Sequence, residues 1–188
     1  MARKFEATGD FVERLEGTER RKAIPPLEIM ERMGLDPSWS VLDIGAGVGY
    51  FSVPLSESVR EVVALDVETR MLDVLQERAV SRKRKNIHAL QGDVLAIPLM
   101  AESFDHVLLA FIYHEVNLPT LMLEECARVL KPGGCLTVVD FQKWETPFGP
   151  PVSERKAPAE VERRARKWFS LLAEFGEQVF YQLEFKKM

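Results

Sequence analysis

The stretch VLDIGAGVGYF, residues 41–51, sets an acid, Asp43, just before three glycines on alternate positions, Gly45, Gly47 and Gly49. Val41, Leu42 and Ile44 read as a buried strand that delivers this loop. Glycine in a regular element costs roughly 0.5–1 kcal/mol relative to alanine. Three of them imply main chain that something must approach closely; the other reading is an unoccupied tight turn. In α/β sheets a strand, a glycine loop and a helix start form an anion or nucleotide site beyond the carboxyl ends of the strands. Asp66 lies 21 residues after Gly45, at the end of the next apolar run, EVVALD. A carboxylate there can accept from the two hydroxyls of a ribose. Taken alone, Asp66 would serve equally well as a helix cap.

The spacing is GxGxG, and Tyr50 occupies the third glycine position of the dinucleotide fingerprint GxGxxG. That departure argues against a nicotinamide dehydrogenase. An acid beside the loop disfavours a pyrophosphate and favours a ligand with a cationic end. S-adenosylmethionine carries an ammonium, a sulfonium and a ribose, so it suits both acids.

Other reactive residue types are few. His114-Glu115 follows the fourth apolar run. Histidine is the commonest general base, so His114 is the one catalytic candidate; the alternative is a hydrogen-bonded wall residue. His88 and His106 lie in strand patterns and read as edge or partly buried packing residues. Cys126 and Cys135 have neither CxxC nor His-linked spacing and read as reduced core thiols. No metal-ligand cluster is present, so no metal is expected. Arg82-Lys83-Arg84-Lys85 is short and lacks interleaved aromatics, which suits a solvated loop better than nucleic acid. Trp144 and Phe148 could line a substrate or pack the loop that carries them.

The elements that must position these residues alternate along the chain. Pro25-Pro26 opens a helix with Leu27, Met30 and Met33 in register, and Gly34 stops it. Strands are expected at about 40–44, 61–66, 86–91, 104–110 and 135–141. Helices are expected from about Tyr50, over 68–80, and from Pro119 to KPGG (131–134). Pro54 is tolerable only in the first turn of its helix. Residues 142–157 are Pro-rich and aperiodic, a long loop of the kind that carries function. A helix over 158–167 precedes two strands, 169–175 and 178–187; a longer helix reaching Phe175 is the competing reading. The pattern predicts an α/β fold: a doubly wound, Rossmann-like, mostly parallel sheet with an antiparallel C-terminal strand.

The chain of 188 residues suits one domain, with an N-terminal arm and helix (1–38), a cofactor-binding core (39–141) and a C-terminal loop, helix and hairpin (142–188). The net charge of −4 provides no field toward nucleic acid or an anionic membrane. No apolar run approaches the ~20 residues a spanning helix needs. The first residues, MARKFEATGDFVERLEG, contain no apolar leader core. Reduced thiols and no leader point to the cytoplasm. Nothing in the sequence bears on oligomeric state.

VLDIGAGVGYF resembles motif I of the class I S-adenosylmethionine-dependent methyltransferases. VVALDV (62–67) is similar to their second motif, GDVLAIPLMAESFDHVLLAFIYHEV (92–116) to their adenine-side and fourth-strand motifs, and RVLKPGGCLTVVDF (128–141) to the helix-turn-strand that follows. Within the class the chain looks most like the small type 11 domains, the group of the ubiquinone and menaquinone C-methyltransferases. The resemblance implies that Gly45, Ala46 and Gly47 lie along the methionine moiety. Asp43 would hold its amino end, and Asp66 the ribose. Val67 and Met71 would pack near the adenine. Asp93 would accept from the adenine amino group, with the Val94 amide facing a ring nitrogen. Ala110 would close the pocket floor. Arg20 and Arg21 could reach the cofactor's carboxylate, but they lie in a poorly matched arm and stay outside the implied site.

The implied reaction moves a methyl group from S-adenosylmethionine to a small-molecule or protein side-chain acceptor and leaves S-adenosylhomocysteine. The alternative is a protein that binds S-adenosylmethionine without catalysis. AFIYHE after the fourth strand is not the Asp/Asn-Pro-Pro-aromatic motif of adenine or glutamine methylation. No Pro-Cys pair suits cytosine-C5 chemistry, and two cysteines are few for arsenite. A small-molecule acceptor is the favoured partner, with neither nucleic acid nor membrane insertion expected. The donor is already activated, so positioning can supply roughly 7–11 kcal/mol of the barrier.

Overall fold

The computed structural model describes residues 17–188. The expectations about the chain's first residues fall on 1–16, outside that range. Seven strands form one sheet: β1 (Ser40–Ile44), β2 (Glu61–Asp66), β3 (Ile87–Gln91), β4 (Phe104–Ala110), β5 (Leu130–Phe141), β6 (Phe169–Gly176) and β7 (Phe180–Lys187). Their order is β3-β2-β1-β4-β5-β7-β6. The first five in that order are mutually parallel, and β7 runs antiparallel to both neighbours. This is the doubly wound sheet that the alternating pattern predicts, with the closing hairpin in place of a longer helix.

The helices are α1 (Thr18–Ala23), α2 (Pro26–Arg32), α3 (Ser52–Leu55), α4 (Thr69–Ser81), α5 (Pro119–Val129) and α6 (Pro158–Ala165). Three begin on proline, where the missing N–H would be unpaired anyway. Pro54 sits inside the single turn of α3, where its ring meets no earlier turn. Strand alternation sorts the core. Leu42, Ile44, Val107, Leu109, Leu136 and Val138 face α5 and α6. Val41, Leu108 and Val139 face the opposite layer, with Ile29 and Met30 of α2 and Leu55 of α3. Leu75 of α4 packs on Ala64 and Ala46.

Four expectations are corrected. The fifth strand begins at Leu130, not at 135: Leu130 pairs with Phe104, and the register shifts before Cys135 pairs with His106. KPGG is therefore a bulge within the strand, eased by Gly133 at φ +70°. Cys135 is half-buried, while Cys126 alone is a core thiol. His106 is fully buried rather than partly so, because its side of β4 lies beneath the helical layer. Of the two loop aromatics, Phe148 packs on the core against Phe141, whereas Trp144 is 51% exposed and donates its indole N–H to the Gln178 carbonyl.

His106 belongs to a buried polar chain. Its Nε2 lies 2.7 Å from Thr137 Oγ1, and Thr137 donates to Glu184 Oε2 at 2.7 Å. Gln182 donates to Glu184 Oε1 at 2.7 Å and to the Ile29 carbonyl of α2 at 3.0 Å. The chain crosses β4, β5 and β7 and ties the sheet to α2. Burial pushes the Glu184 carboxyl up from 4.5 to about 7, against the opposing pull of the Thr137 and Gln182 hydrogen bonds. The folded chain therefore binds a proton that the unfolded chain releases between those values, and stability falls as pH rises through that window. Glu184→Gln cannot ionise, and should gain on the wild type by up to about 3 kcal/mol between pH 5 and pH 8, at ~1.4 kcal/mol per pH unit. Denaturant unfolding at the two pH values checks this; equal losses in both proteins would refute it.

Candidate active site

β1 and β4 are parallel neighbours whose chains depart to opposite sides, so a crevice opens beyond their carboxyl ends. The loop after β1 bends back at once: the N–H groups of Gly45 and Ala46 both donate to the Leu65 carbonyl, at 2.8 and 3.1 Å. The three glycines answer to different constraints. A Cβ on Gly45, at φ +70°, would stand 2.2 Å from Ile112 Cγ2. One on Gly49 would meet Leu75 and Val53 at 3.0 and 3.2 Å. One on Gly47, at φ +52°, would meet nothing within 4 Å. Gly47 alone faces open space.

Asp66 joins the ends of β1 and β2. Its Oδ2 accepts the Gly47 N–H at 2.8 Å and its Oδ1 the Glu68 N–H at 2.9 Å. Each carboxylate oxygen keeps a second acceptor site for a ribose hydroxyl. Burial raises its pKa. Asp43 is 2% exposed and accepts the Ser52 hydroxyl of α3 at 2.5 Å. Burial pushes it to about 7, opposed by Ser52 and assisted by the nearby Asp66 charge. Among the described residues, neither acid has a lysine or arginine partner.

The second wall follows β3. The Gly92 N–H donates to the Asp66 carbonyl at 3.0 Å, so the loop carrying Asp93 and Val94 starts beside Asp66. Asp93 is exposed and accepts the Leu95 N–H at 2.9 Å, a turn carboxylate at the loop's entry. Arg128 of α5 anchors the loop's far side through the carbonyls of Ile97 and Leu99, both at 2.8 Å, while Glu125 accepts the Ile97 N–H. Neither clamp residue carries a sequence signal beyond its charge. Val67 is 54% exposed, Met71 is buried, and Ala110 lies half-buried at the end of β4.

Arg20 of α1 closes the mouth. Its guanidinium lies 5.6 Å from the Tyr50 ring centre and 5.3 Å from that of Phe111. Its buried Nε has no partner, and burial lowers its pKa. Tyr50, the residue that breaks the dinucleotide fingerprint, donates its hydroxyl to the Ile24 carbonyl at 2.7 Å and so fixes the arm over the loop. Phe111 holds φ +60°, a strained value for a bulky side chain, where β4 leaves the sheet.

His114 lies in a 3-10 turn, Tyr113–Glu115, just after Phe111 and Ile112. Its Nδ1 lies 2.7 Å from Asp140 Oδ1, and its main-chain N–H donates to Asp140 Oδ2 at 3.0 Å. Burial lowers its pKa, but Asp140, Glu115 and Glu154 outweigh that and leave it raised. Asp140 ends the fifth strand motif, and nothing in the linear pattern marks it. The loop 142–157 is organised by buried Arg155, which donates to the carbonyls of Gln142, Trp144 and Pro150 at 3.0, 2.6 and 2.8 Å.

The glycines permit a discriminating experiment. Gly45→Ala should destabilise the fold by more than 2 kcal/mol, from overpacking against Ile112 plus left-handed strain. Gly47→Ala should cost only the ~1–2 kcal/mol of that strain. Chemical denaturation of both variants checks the order; equal costs would refute the assignment.

A family model described as a methyltransferase domain, type 11, matches residues 42–138. A demethylmenaquinone methyltransferase from Renibacterium salmoninarum is 35% identical over 150 residues, covering 80% of this chain and 58% of that protein. Its counterpart from Shouchella clausii is 34% identical over 116 residues, covering 60% and 49%. The chain thus spans about half the length of these curated relatives. A crystal structure of a SAM-dependent methyltransferase from Aquifex aeolicus superposes with a TM-score of 0.89 at 26% identity, over 98% of this chain and all of that one.

Proposed function

This chain belongs to the methyltransferase-domain family, and on that premise we propose that it transfers a methyl group from S-adenosylmethionine to a small quinol-type acceptor. The observation that carries the reading is a pair of buried acids, Asp43 and Asp66, without a cationic partner beside main chain left open at Gly47. Buried charge demands a counter-charge. The cofactor's ammonium and sulfonium supply it, and its ribose can use the free acceptor sites of Asp66. Asp43 orients the amino end. Gly45, Ala46 and Gly47 lie along the methionine moiety, with Ala110 as the floor. Val67 and Met71 flank the adenine, and Asp93 and Val94 read its edge. Arg20 faces the carboxylate from α1. The bound cofactor supplies an electrophilic methyl group; the chain holds donor and acceptor in line and excludes water. The acceptor class rests on the names of the relatives, demethylmenaquinone methyltransferases.

Calorimetry with S-adenosylmethionine and S-adenosylhomocysteine, and methyl transfer from labelled donor to demethylmenaquinol, test the reading. Absence of binding would overturn it. Asp66→Ala should weaken cofactor binding by ~1.5–3 kcal/mol, the scale of hydrogen bonds to a charged group; unchanged affinity in a folded variant would refute the ribose assignment. Asp43 is neutral below about pH 7 and charged above it. A cationic ligand binds the charged form, so affinity should rise as pH increases through about 7 and then level off. A pH-independent affinity would remove Asp43 from the site.

A further inference from the structure

We propose that His114, oriented by Asp140, takes the proton from a hydroxyl on the ring of the methyl acceptor. This rests on the methyl-transfer reading and its quinol-type acceptor, and adds to it the base that the acceptor's hydroxyl needs and the residue that positions that base. Asp140 is 1% exposed, and its carboxylate hydrogen-bonds to His114 and to the Phe141 main chain. Oδ1 lies 2.7 Å from Nδ1, placed to accept an Nδ1–H, and accepts the Phe141 N–H at 2.7 Å; Oδ2 accepts the His114 main-chain N–H at 3.0 Å. One carboxylate therefore sets both the main chain and the ring of His114. With the proton on Nδ1, the lone pair lies on Nε2. Glu115 Oε1 is 3.7 Å from Nε2, too far for a hydrogen bond.

The surroundings suit a base. The His114 side chain is 5% exposed, and the Phe141 ring meets it edge-on at 5.8 Å. The charged groups that face it are Asp140 from β5, Glu115 from its own turn and Glu154 from the loop 142–157. All three are acids, so they stabilise the imidazolium formed when Nε2 accepts a proton. Ile112, two residues before His114, fills the space against Gly45, so the turn borders the glycine loop.

The step balances as follows. The O–H bond of the acceptor breaks and its proton goes to Nε2. The oxygen's electron pair, delocalised into the ring, forms the new carbon–methyl bond while the methyl–sulfur bond breaks and its pair returns to sulfur. The ring carbon then loses its hydrogen as a proton to water, the C–H pair restores the aromatic ring as the phenolate, and the imidazolium returns its proton to that oxygen. An amine acceptor in its neutral form would need no such base.

Two measurements test the proposal. Nitrogen NMR of histidine-labelled wild-type protein, without acceptor, should show His114 protonated on Nδ1 when neutral and titrating above 6.5; Asp140→Asn should lower that titration. With demethylmenaquinol, Asp140→Asn should reduce kcat by roughly 10²–10⁴-fold, the range of general-base contributions. It should also move the acid limb of the profile to lower pH and leave KM for the donor unchanged. His114→Gln should abolish the acid limb and still bind S-adenosylhomocysteine. A neutral His114 protonated on Nε2, or an Asp140→Asn profile that matches the wild type, would overturn the dyad while methyl transfer stands. No transfer by a wild-type protein with the Nδ1 tautomer would instead overturn the acceptor reading. If Asp140→Asn does not fold, the wild-type tautomer and the His114→Gln profile decide.

Discussion

The Asp66 carboxylate gripping the Gly47 N–H at 2.8 Å is the contact on which the rest depends. It joins the ends of two adjacent parallel strands through a side chain, where the sheet's own hydrogen bonds have stopped. The Gly45 and Ala46 N–H groups reinforce it by sharing the Leu65 carbonyl. These three donors would otherwise be unpaired at a strand end. The result is a left-handed bend that only glycine tolerates without strain, held open on one face. That face is where a ligand can touch main chain.

Around that bend the structure places polar groups in two contrasting states. Beneath α2, His106, Thr137, Glu184 and Gln182 hydrogen-bond to one another and serve the sheet. At the crevice, Asp43, Asp66 and Arg20 are buried or nearly so without opposite charges to neutralise them. Desolvated charges of both signs within one cleft are costly in an empty site. In the proposed complex the ammonium, carboxylate and sulfonium of the cofactor would supply the missing partners. The crevice is thus arranged for differential binding, which the sheet itself does not require.

The family match spans the glycine loop and most of the five parallel strands and ends before β6 and β7. The loop 142–157 lies beyond the matched residues 42–138, and it is held by Arg155 donating to main-chain carbonyls and by Phe148 packing on Phe141. Fold alone does not choose the substrate.

The linear sequence determined the strand-and-helix alternation, the prolines that open α2, α5 and α6, and the glycine loop with its two acids. Each of these is local: a period of two, a fixed φ, a missing Cβ. It did not determine which glycine has open space beside it, because Ile112 fills the space at Gly45 from 67 positions away. It did not mark Asp140 as the partner of His114, or Arg128 as the clamp on the Asp93 loop, since each pair meets only after the parallel strands align. KPGG reads as a helix stop in sequence, and only pairing with β4 makes it a bulge. Short-range conformational preference is written residue by residue; contact between distant side chains exists only once crossover connections have set the strand order.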